Sequence, residues 1–273
     1  MPQSKFYSDL GQECVSVGCS VDLFLFNNAY VDVATLSQVT RLTGGQLYKY
    51  TYFQPETDGE RFIKDLEHDL SRPVVFDAIM RVRTSTGVRP VDFYGSFYMA
   101  NTTDTELASI NSDSAIACEI KHDDKLTEED GVYIQVAVLF TSCSGQRRLR
   151  ILNLALNTGV SMADMYRNCE FFSPSPILQQ ASKCHEFSIL GELDTIVNFV
   201  AKQSISRLMD SNPKTVKEHL ITNCANILAC YRKNCASPSS AGQLILPECM
   251  KLLPLYTNCL LKSDALAGGA DVG

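Results

Sequence analysis

The first part of the chain combines strand and helix patterns. Residues 15–26 are rich in β-forming residues, and the apolar run at 21–26 predicts a strand buried on both faces. Apolar positions at helical spacing follow Asp32, which can cap a helix, and Gly44-Gly45 can end that helix in a left-handed conformation. Residues 47–53 form the next strand-like run. A strand–helix–strand unit of this kind predicts a parallel sheet.

A further helix is predicted over residues 58–70, and Pro73 lies just beyond it. Four apolar side chains are expected on one side of this helix: Phe62, Ile63, Leu66 and Leu70. Two strands rarely bury enough apolar surface to be stable alone. Either this segment completes its sheet elsewhere or it ends a longer α/β domain, and we favour the second interpretation for residues 1–72.

From residue 74 to about residue 156 the pattern changes to short strands separated by polar turns. Residues 78–83 and 148–151 alternate between apolar and polar side chains, and Thr86-Gly87 and Ser144-Gly145 are turn signals. Four to seven strands without helical periodicity between them predict an antiparallel β-sandwich over residues 73–157.

Helical spacing returns beyond residue 161. One apolar stripe runs from Leu193 to Leu208, and a longer one from Val216 to Cys235 begins just after Pro213. We therefore predict an all-α region over residues 158–265, within which residues 170–192 form an atypical loop. Residues 266–273 are rich in Gly and Ala and are expected to form a frayed tail. The chain is thus predicted to be an α+β multidomain protein.

Composition narrows the possible functions. Of the 273 residues 45% are hydrophobic and 20% are charged, as in a packed globular protein, and the formal net charge is −7. An acidic balance argues against nucleic acid as a partner, because phosphate contacts need clustered positive charge. No apolar stretch approaches the roughly 20 residues of a membrane span, and the first residues have no apolar signal core.

The cysteines and histidines form no recognisable catalytic or metal motif. The 11 cysteines are an odd number without any Cys-x-x-Cys pair, which favours reduced, mostly buried cytosolic thiols. Cys184-His185 is the nearest approach to a reactive pair, and Cys230 and Cys235 have only a wide spacing. A cysteine- or metal-dependent cytosolic enzyme that uses these residues remains an alternative.

Arginines concentrate on the predicted sandwich strands. Their simplest role is to solvate the outer faces of the strands, and the alternative is a basic surface for anionic lipid headgroups or acidic peptides. The residues concerned are Arg81, Arg83, Arg147, Arg148 and Arg150.

The order of these elements closely resembles the cargo-selecting subunit of the COPII inner vesicle coat. The segments that carry the resemblance are Val21–Phe26, Tyr30–Leu36, Leu42–Gly45, Phe76–Gly87, Gln146–Ile151 and Ala229–Cys235. Residues 237–247 further resemble the C/D branch of that subunit. The resemblance implies the C-terminal part of a von Willebrand A-like trunk, then the sandwich and the helical region. The family's zinc finger and gelsolin-like module lie outside this chain, so no cofactor is expected in this fragment.

The resemblance also implies a function. Members of this family are not enzymes. They form a heterodimer with a GTPase-activating coat partner, and they are cytoplasmic, lying peripherally on the anionic surface of the endoplasmic reticulum membrane and on COPII-coated vesicles. There they bind export signals on the cytosolic tails of cargo and SNARE proteins.

One binding site is implied by the resemblance. The C/D branch, which this chain resembles, is specialised for Ile-x-Met signals. The hydrophobic groove of that branch includes the positions that match Leu244, Ile245 and Leu246. Three consecutive aliphatic residues after a flexible connector cannot all face one helix core, so some must lie at a surface or in a crevice. The alternative is a buried lead-in to the last helix.

The chain departs from the family at one point. In the family, the segment matching Tyr166–Cys169 leads almost directly into the helix that starts near Leu193, whereas residues 170–192 intervene here. This segment is either a surface loop, which is tolerated because lengthening a loop costs little entropy, or an artefact of splicing or of the gene model. An inactive truncated isoform of the adaptor is a further alternative.

Overall fold

The computed structural model describes residues 2–124, 126–127, 131–158, 193–235, 246 and 250–267. It begins with an α/β part whose elements are α1 (Phe6–Ser16), β1 (Leu23–Leu25), α2 (Val33–Thr43), β2 (Leu47–Lys49) and α3 (Pro55–Ser71). Strands β1 and β2 are parallel, with Leu23 opposite Leu47. The Asp32 carboxylate caps α2 by accepting a hydrogen bond from the Thr35 N–H at 3.1 Å, and Gly44 ends it at φ +79°. The predicted strand–helix–strand unit is confirmed.

Helix α1 was not expected, because Val15 was assigned to a β-rich stretch. Its inner face instead carries Tyr7, Gly11 and Val15 at helical spacing. A Cβ at Gly11 would lie 3.0 Å from Leu42 Cδ1, so the glycine permits close packing of α1 on α2. A glycine in the middle of the inner face hid the helical pattern from sequence analysis.

Helix α3 forms near its predicted bounds, but its predicted apolar side is only partly correct. Phe62 is partly buried and packs edge to face on four aromatic rings of the α/β part, and Leu66 is also partly buried. Ile63 and Leu70, in contrast, are 57% and 77% exposed. The inner face also carries a carboxylate, because the Tyr50 hydroxyl donates a 2.6 Å hydrogen bond to Asp65 Oδ2. Burial, followed by this hydrogen bond, raises the pKa of Tyr50 to about 12. The helix is therefore held partly by polar contacts with the sheet.

Six antiparallel strands are found among the described residues of the sandwich, within the predicted range of four to seven. They are β3 (Val74–Thr84), β4 (Val88–Tyr94), β5 (Asp104–Asn111), β6 (Ala117–His122), β7 (Gly131–Thr141) and β8 (Arg147–Asn157). One sheet has the order β5-β3-β7-β8, and β4 pairs with β6 in the other. Val88, Leu126, Val132 and Leu156 form the buried cluster of the sandwich.

Strand β8 lies at the edge of the larger sheet, and its first half is exposed on both faces. Leu149 and Ile151 are 61% and 48% exposed, although the alternation over residues 148–151 predicted one buried face. Burial reaches β8 only towards its end, where Leu154 and Leu156 join the sandwich cluster. The smaller two-stranded sheet explains this, because it cannot cover the whole of its four-stranded partner.

The helical part comprises α4 (Leu193–Arg207), α5 (Pro213–Asn234), α6 (Leu253–Lys262) and the short α7 (Asp264–Ala267). Pro213 begins α5 as predicted, with the Asn212 side chain accepting from the Lys214 N–H at 2.8 Å. Leu266 falls within the expected frayed tail but is buried with Val216 and Leu220. The tail prediction is wrong at this position, since Leu266 completes an apolar cluster.

A buried arginine joins the α/β part to the sandwich. The Arg72 side chain is 5% exposed and forms an ion pair with Asp69. Its guanidinium also lies 3.6 Å from Asp22 and 3.4 Å from Asp113, which belongs to the β5–β6 turn. The Arg72 guanidinium thus provides the counter-charge for three carboxylates at the junction. No helix in the part of the chain that the structure describes has the length and apolar character needed to cross a bilayer.

Candidate functional site

The structure describes one of the three residues predicted to bind cargo peptides. Leu246 is partly buried and therefore keeps some accessible surface. Leu244 and Ile245 lie outside the described residues. The predicted site thus remains a prediction, and its surroundings show what it could do.

An apolar cluster follows Leu246 in the chain. Met250 and Leu253 are 2% and 3% exposed and pack with Ile196 of α4. Partly buried side chains surround these three residues: Leu193, Val200, Cys224, Ile227, Leu228, Tyr231 and Cys235. Three helices therefore contribute to one apolar cluster, whose residue Met250 lies four residues after Leu246 in the sequence.

Two leucines beside this cluster face outward. Leu252 precedes α6 and Leu255 lies in its first turn, and both are exposed, whereas Leu253 between them is buried. Pro254 at the start of the helix fixes the local backbone, so the two side chains are held in place. Exposed aliphatic side chains grouped in this way can accept apolar side chains from a peptide.

The described charged residues nearest to these leucines in the sequence are positive. Among the described residues from 246 to 262, the charged side chains are Lys251 and Lys262. Helix α5 ends with Arg232 and Lys233, which interact favourably with the negative end of its dipole. Cations at the edge of an apolar surface favour a peptide with acidic or neutral flanking residues.

Sequence analysis missed the contact that places the helical part on the sandwich. Phe199 of α4 is buried and meets Tyr94 of β4 edge to face, with the ring centroids 5.7 Å apart. The Tyr94 hydroxyl donates to Glu119 Oε2 at 3.1 Å, and burial raises its pKa to about 12. Phe199 was not assigned to the predicted stripe, but it lies three residues after Ile196, so helical spacing was the available signal.

A cavity of about 110 Å³ lies where the three parts meet. Its walls include Gly44 and Gly45 from the end of α2, Ser96 and Asp113 from the sandwich, and Lys202 from α4. Leu246, the described residue of the predicted site, is not among its lining residues. The cavity marks the junction of the three parts.

Of the residues of the alternative enzyme site, the structure describes Cys230 and Cys235. Cys184 and His185 lie outside the described residues. Cys230 and Cys235 are partly buried, and Cys230 Sγ accepts a hydrogen bond from the Asn234 amide at 3.4 Å. The described segments contain no group of three or more His, Cys, Asp or Glu side chains that could hold a metal ion.

Arg81 and Arg147, two of the five arginines named in the sequence analysis, form ion pairs. Arg81 pairs with Asp104, and this hydrogen bond lowers the pKa of the aspartate carboxyl. Arg147 lies 2.6 Å from Asp77. These pairs agree with the simpler role of solvated outer faces, and the basic-surface alternative stays a prediction.

Comparison with protein families gives a match to each part of the chain. The Sec23/Sec24 trunk domain matches residues 1–70, the beta-sandwich domain matches residues 75–159, and the helical domain matches residues 192–273. The three domains follow one another in the same order as the three parts of the structure.

Individual proteins are similar over nearly the whole chain. Human protein transport protein Sec24C is 58% identical over 99% of this chain, and human Sec24D is 49% identical over 99%. Protein transport protein SEC24 B of Arabidopsis thaliana is 36% identical over 97%. The crystal structure of the human COPII-coat protein Sec24c superposes with a TM-score of 0.82 at 54% identity, covering 100% of this chain and 32% of that one. The chain spans about a quarter of the length of the two human relatives, 23% and 24%.

Proposed function

The chain belongs to the Sec23/Sec24 family, and on this premise we propose that it is part of a cargo adaptor of the COPII coat. The adaptor would act in transport from the endoplasmic reticulum to the Golgi. The observation that carries this proposal is the consecutive match of trunk, sandwich and helical domains, together with 58% identity to a human protein transport protein. Because these relatives are transport proteins and not enzymes, the cysteine- or metal-dependent enzyme is not retained.

The proposed ligand is an Ile-x-Met export signal on the cytosolic tail of a membrane cargo or SNARE protein. Its binding residues would be Leu244, Ile245 and Leu246, next to the exposed Leu252 and Leu255. The buried cluster of Met250 and Leu253 supports this proposal, because a rigid base keeps an apolar surface open for a ligand. Each ligand side chain that becomes fully buried there would contribute about 1.5–3 kcal/mol.

The coat partner and the membrane belong to the same proposal. The adaptor would form a heterodimer with a GTPase-activating coat subunit and lie peripherally on the anionic cytoplasmic surface of the endoplasmic reticulum. The exposed Arg148 and Arg150 on the edge strand β8 supply positive charge that suits anionic headgroups. This part of the proposal rests on family membership more than on geometry.

Replacing Leu244, Ile245 and Leu246 together with alanine is expected to weaken capture of an immobilised Ile-x-Met peptide by roughly tenfold or more, equivalent to at least about 1.4 kcal/mol. The melting temperature should change little, because at least part of this surface is accessible. Pull-down with the purified full chain measures capture, and thermal unfolding measures stability.

The matched control replaces three exposed aliphatic residues elsewhere with alanine: Ile63, Leu70 and Leu149. This variant removes the same side chains, one isoleucine and two leucines, and should retain capture. Equal capture by wild type and by the site variant would refute the site assignment. If the wild type captured no peptide, an inactive truncated isoform would be favoured instead.

A further inference from the structure

The end of α1 forms a turn that contains two cysteines. The Gly18 N–H donates to the Val15 carbonyl at 3.0 Å, and the Cys19 N–H donates to the Cys14 carbonyl at 2.9 Å. Gly18 has a left-handed backbone, with φ +68°. These features define a Schellman motif, a common helix ending in which the chain folds back over the last turn.

This motif brings the two thiols together. In a Schellman motif the second residue beyond the cap packs on the third residue from the end of the helix, and these positions are Cys19 and Cys14 here. Burial raises the pKa of the Cys14 thiol, and the neighbouring Cys19 adds to this rise. Cys14 is partly buried and Cys19 is exposed, so a small reagent can reach the pair from the Cys19 side.

Spacing along the sequence does not by itself produce this contact. Cys230 and Cys235 have the same spacing, but Cys230 lies within α5 and Cys235 caps it. Residues five apart along an α-helix point about 140° away from each other. The second pair therefore serves as an internal control with the same spacing and a different backbone.

We propose that Cys14 and Cys19 form a reversible dithiol–disulfide site that reacts with small disulfides of the glutathione type. The Cys19 thiolate attacks one sulfur of the small disulfide, whose S–S bond breaks and releases one thiolate. The Cys14 thiolate then attacks Cys19 Sγ, forms the internal disulfide and releases the second thiolate. Two cysteines are oxidised, one small disulfide is reduced to two thiols, and the two cysteine protons pass to the released thiolates.

The site lies at the junction between the α/β part and the sandwich. A Cβ on Gly18 would come within 2.9 Å of Asp77 Cβ, so the turn packs closely against strand β3. Asp77 is in turn paired with Arg147 of β8. An internal disulfide would fix the turn at this junction, and reduction would release the constraint.

The test treats the full chain with oxidised glutathione, blocks free thiols by alkylation and maps the tryptic peptides. Residues 6–41 form one tryptic peptide that contains both cysteines and no other cysteine. After this treatment we expect the peptide to carry no alkyl label and to weigh two hydrogens less than its reduced form. After reduction and renewed alkylation, both cysteines should carry the label. The proposal would be overturned if Cys14 and Cys19 remained open to alkylation under conditions in which oxidised glutathione modifies the exposed Cys259.

Two variants test whether disulfide formation depends on the turn, and not only on the exposure of the Cys19 thiol. Cys14→Ser should trap a stable glutathione adduct on Cys19, which the wild type resolves into the internal disulfide. Gly18→Ala keeps both thiols but strains the left-handed turn, and should slow internal disulfide formation by roughly tenfold. If the wild type also accumulates the Cys19 adduct, or if Cys230 and Cys235 pair equally fast, the turn has no special role and the proposal fails.

Discussion

Replacing Arg72 with methionine is expected to lower the free energy of unfolding by about 3–5 kcal/mol. The side chain is 5% exposed, and Asp69 beside it is almost equally buried. Removing the guanidinium leaves carboxylates at the junction without their counter-charge, and this is more costly than the loss of an exposed pair. Urea denaturation of the full chain, followed by circular dichroism, measures the change.

Arg89→Met is the matched control. Arg89 also pairs with an aspartate, Asp123, but the two side chains are 59% and 43% exposed. An exposed pair of this kind contributes less than about 1 kcal/mol. Equal losses in the two variants would show that the Arg72 network does not hold the junction together.

The pH dependence of the Arg72 variant gives a second check. Burial raises the pKa of Asp22, and Arg72 partly opposes this effect. Without Arg72 the pKa of Asp22 should rise further, so that the folded state of the variant takes up a proton more readily than the unfolded state. The difference in the free energy of unfolding between the variant and the wild type should therefore become smaller as the pH falls through the range in which carboxyl groups titrate.

The second large effect is expected at Met250, where substitution by alanine should cost about 2–5 kcal/mol. Met250 is 2% exposed and packs with Ile196 and Leu253, so the change leaves a cavity between α4 and α6. Urea denaturation checks the loss of stability. Met209→Ala is the control, because Met209 is exposed and its truncation should cost less than about 0.5 kcal/mol.

Local signals in the sequence were sufficient to predict where several elements begin or end. The Asp32 cap, the left-handed Gly44 and the proline at the start of α5 each have one strongly preferred structural role, and each was predicted correctly. Helix α1 was missed because Gly11 interrupts its apolar face. The apolar side of α3 was predicted only in part. Phe62 packs on the aromatic rings of the sheet as expected, but the inward position of Asp65 depends on its tertiary partner Tyr50.

The candidate site was predictable only in part. Resemblance indicated Leu246, but the buried role of Met250 depends on α4 and α6 meeting, which no local pattern encodes. The contact between Phe199 and Tyr94 likewise joins residues more than a hundred positions apart. The Cys14–Cys19 contact depends on the backbone turn at Gly18, because Cys230 and Cys235 share the spacing without that turn.

Photo-crosslinking tests the proposed cargo site most directly. An Ile-x-Met peptide with a photoreactive analogue in place of its methionine would be bound to the full chain and irradiated, and the attachment points located by mass spectrometry. We predict attachment within the tryptic peptides 234–251 and 252–262, which contain the three aliphatic residues and the exposed leucines of α6. Attachment confined to the sandwich, residues 73–157, would contradict the proposed site.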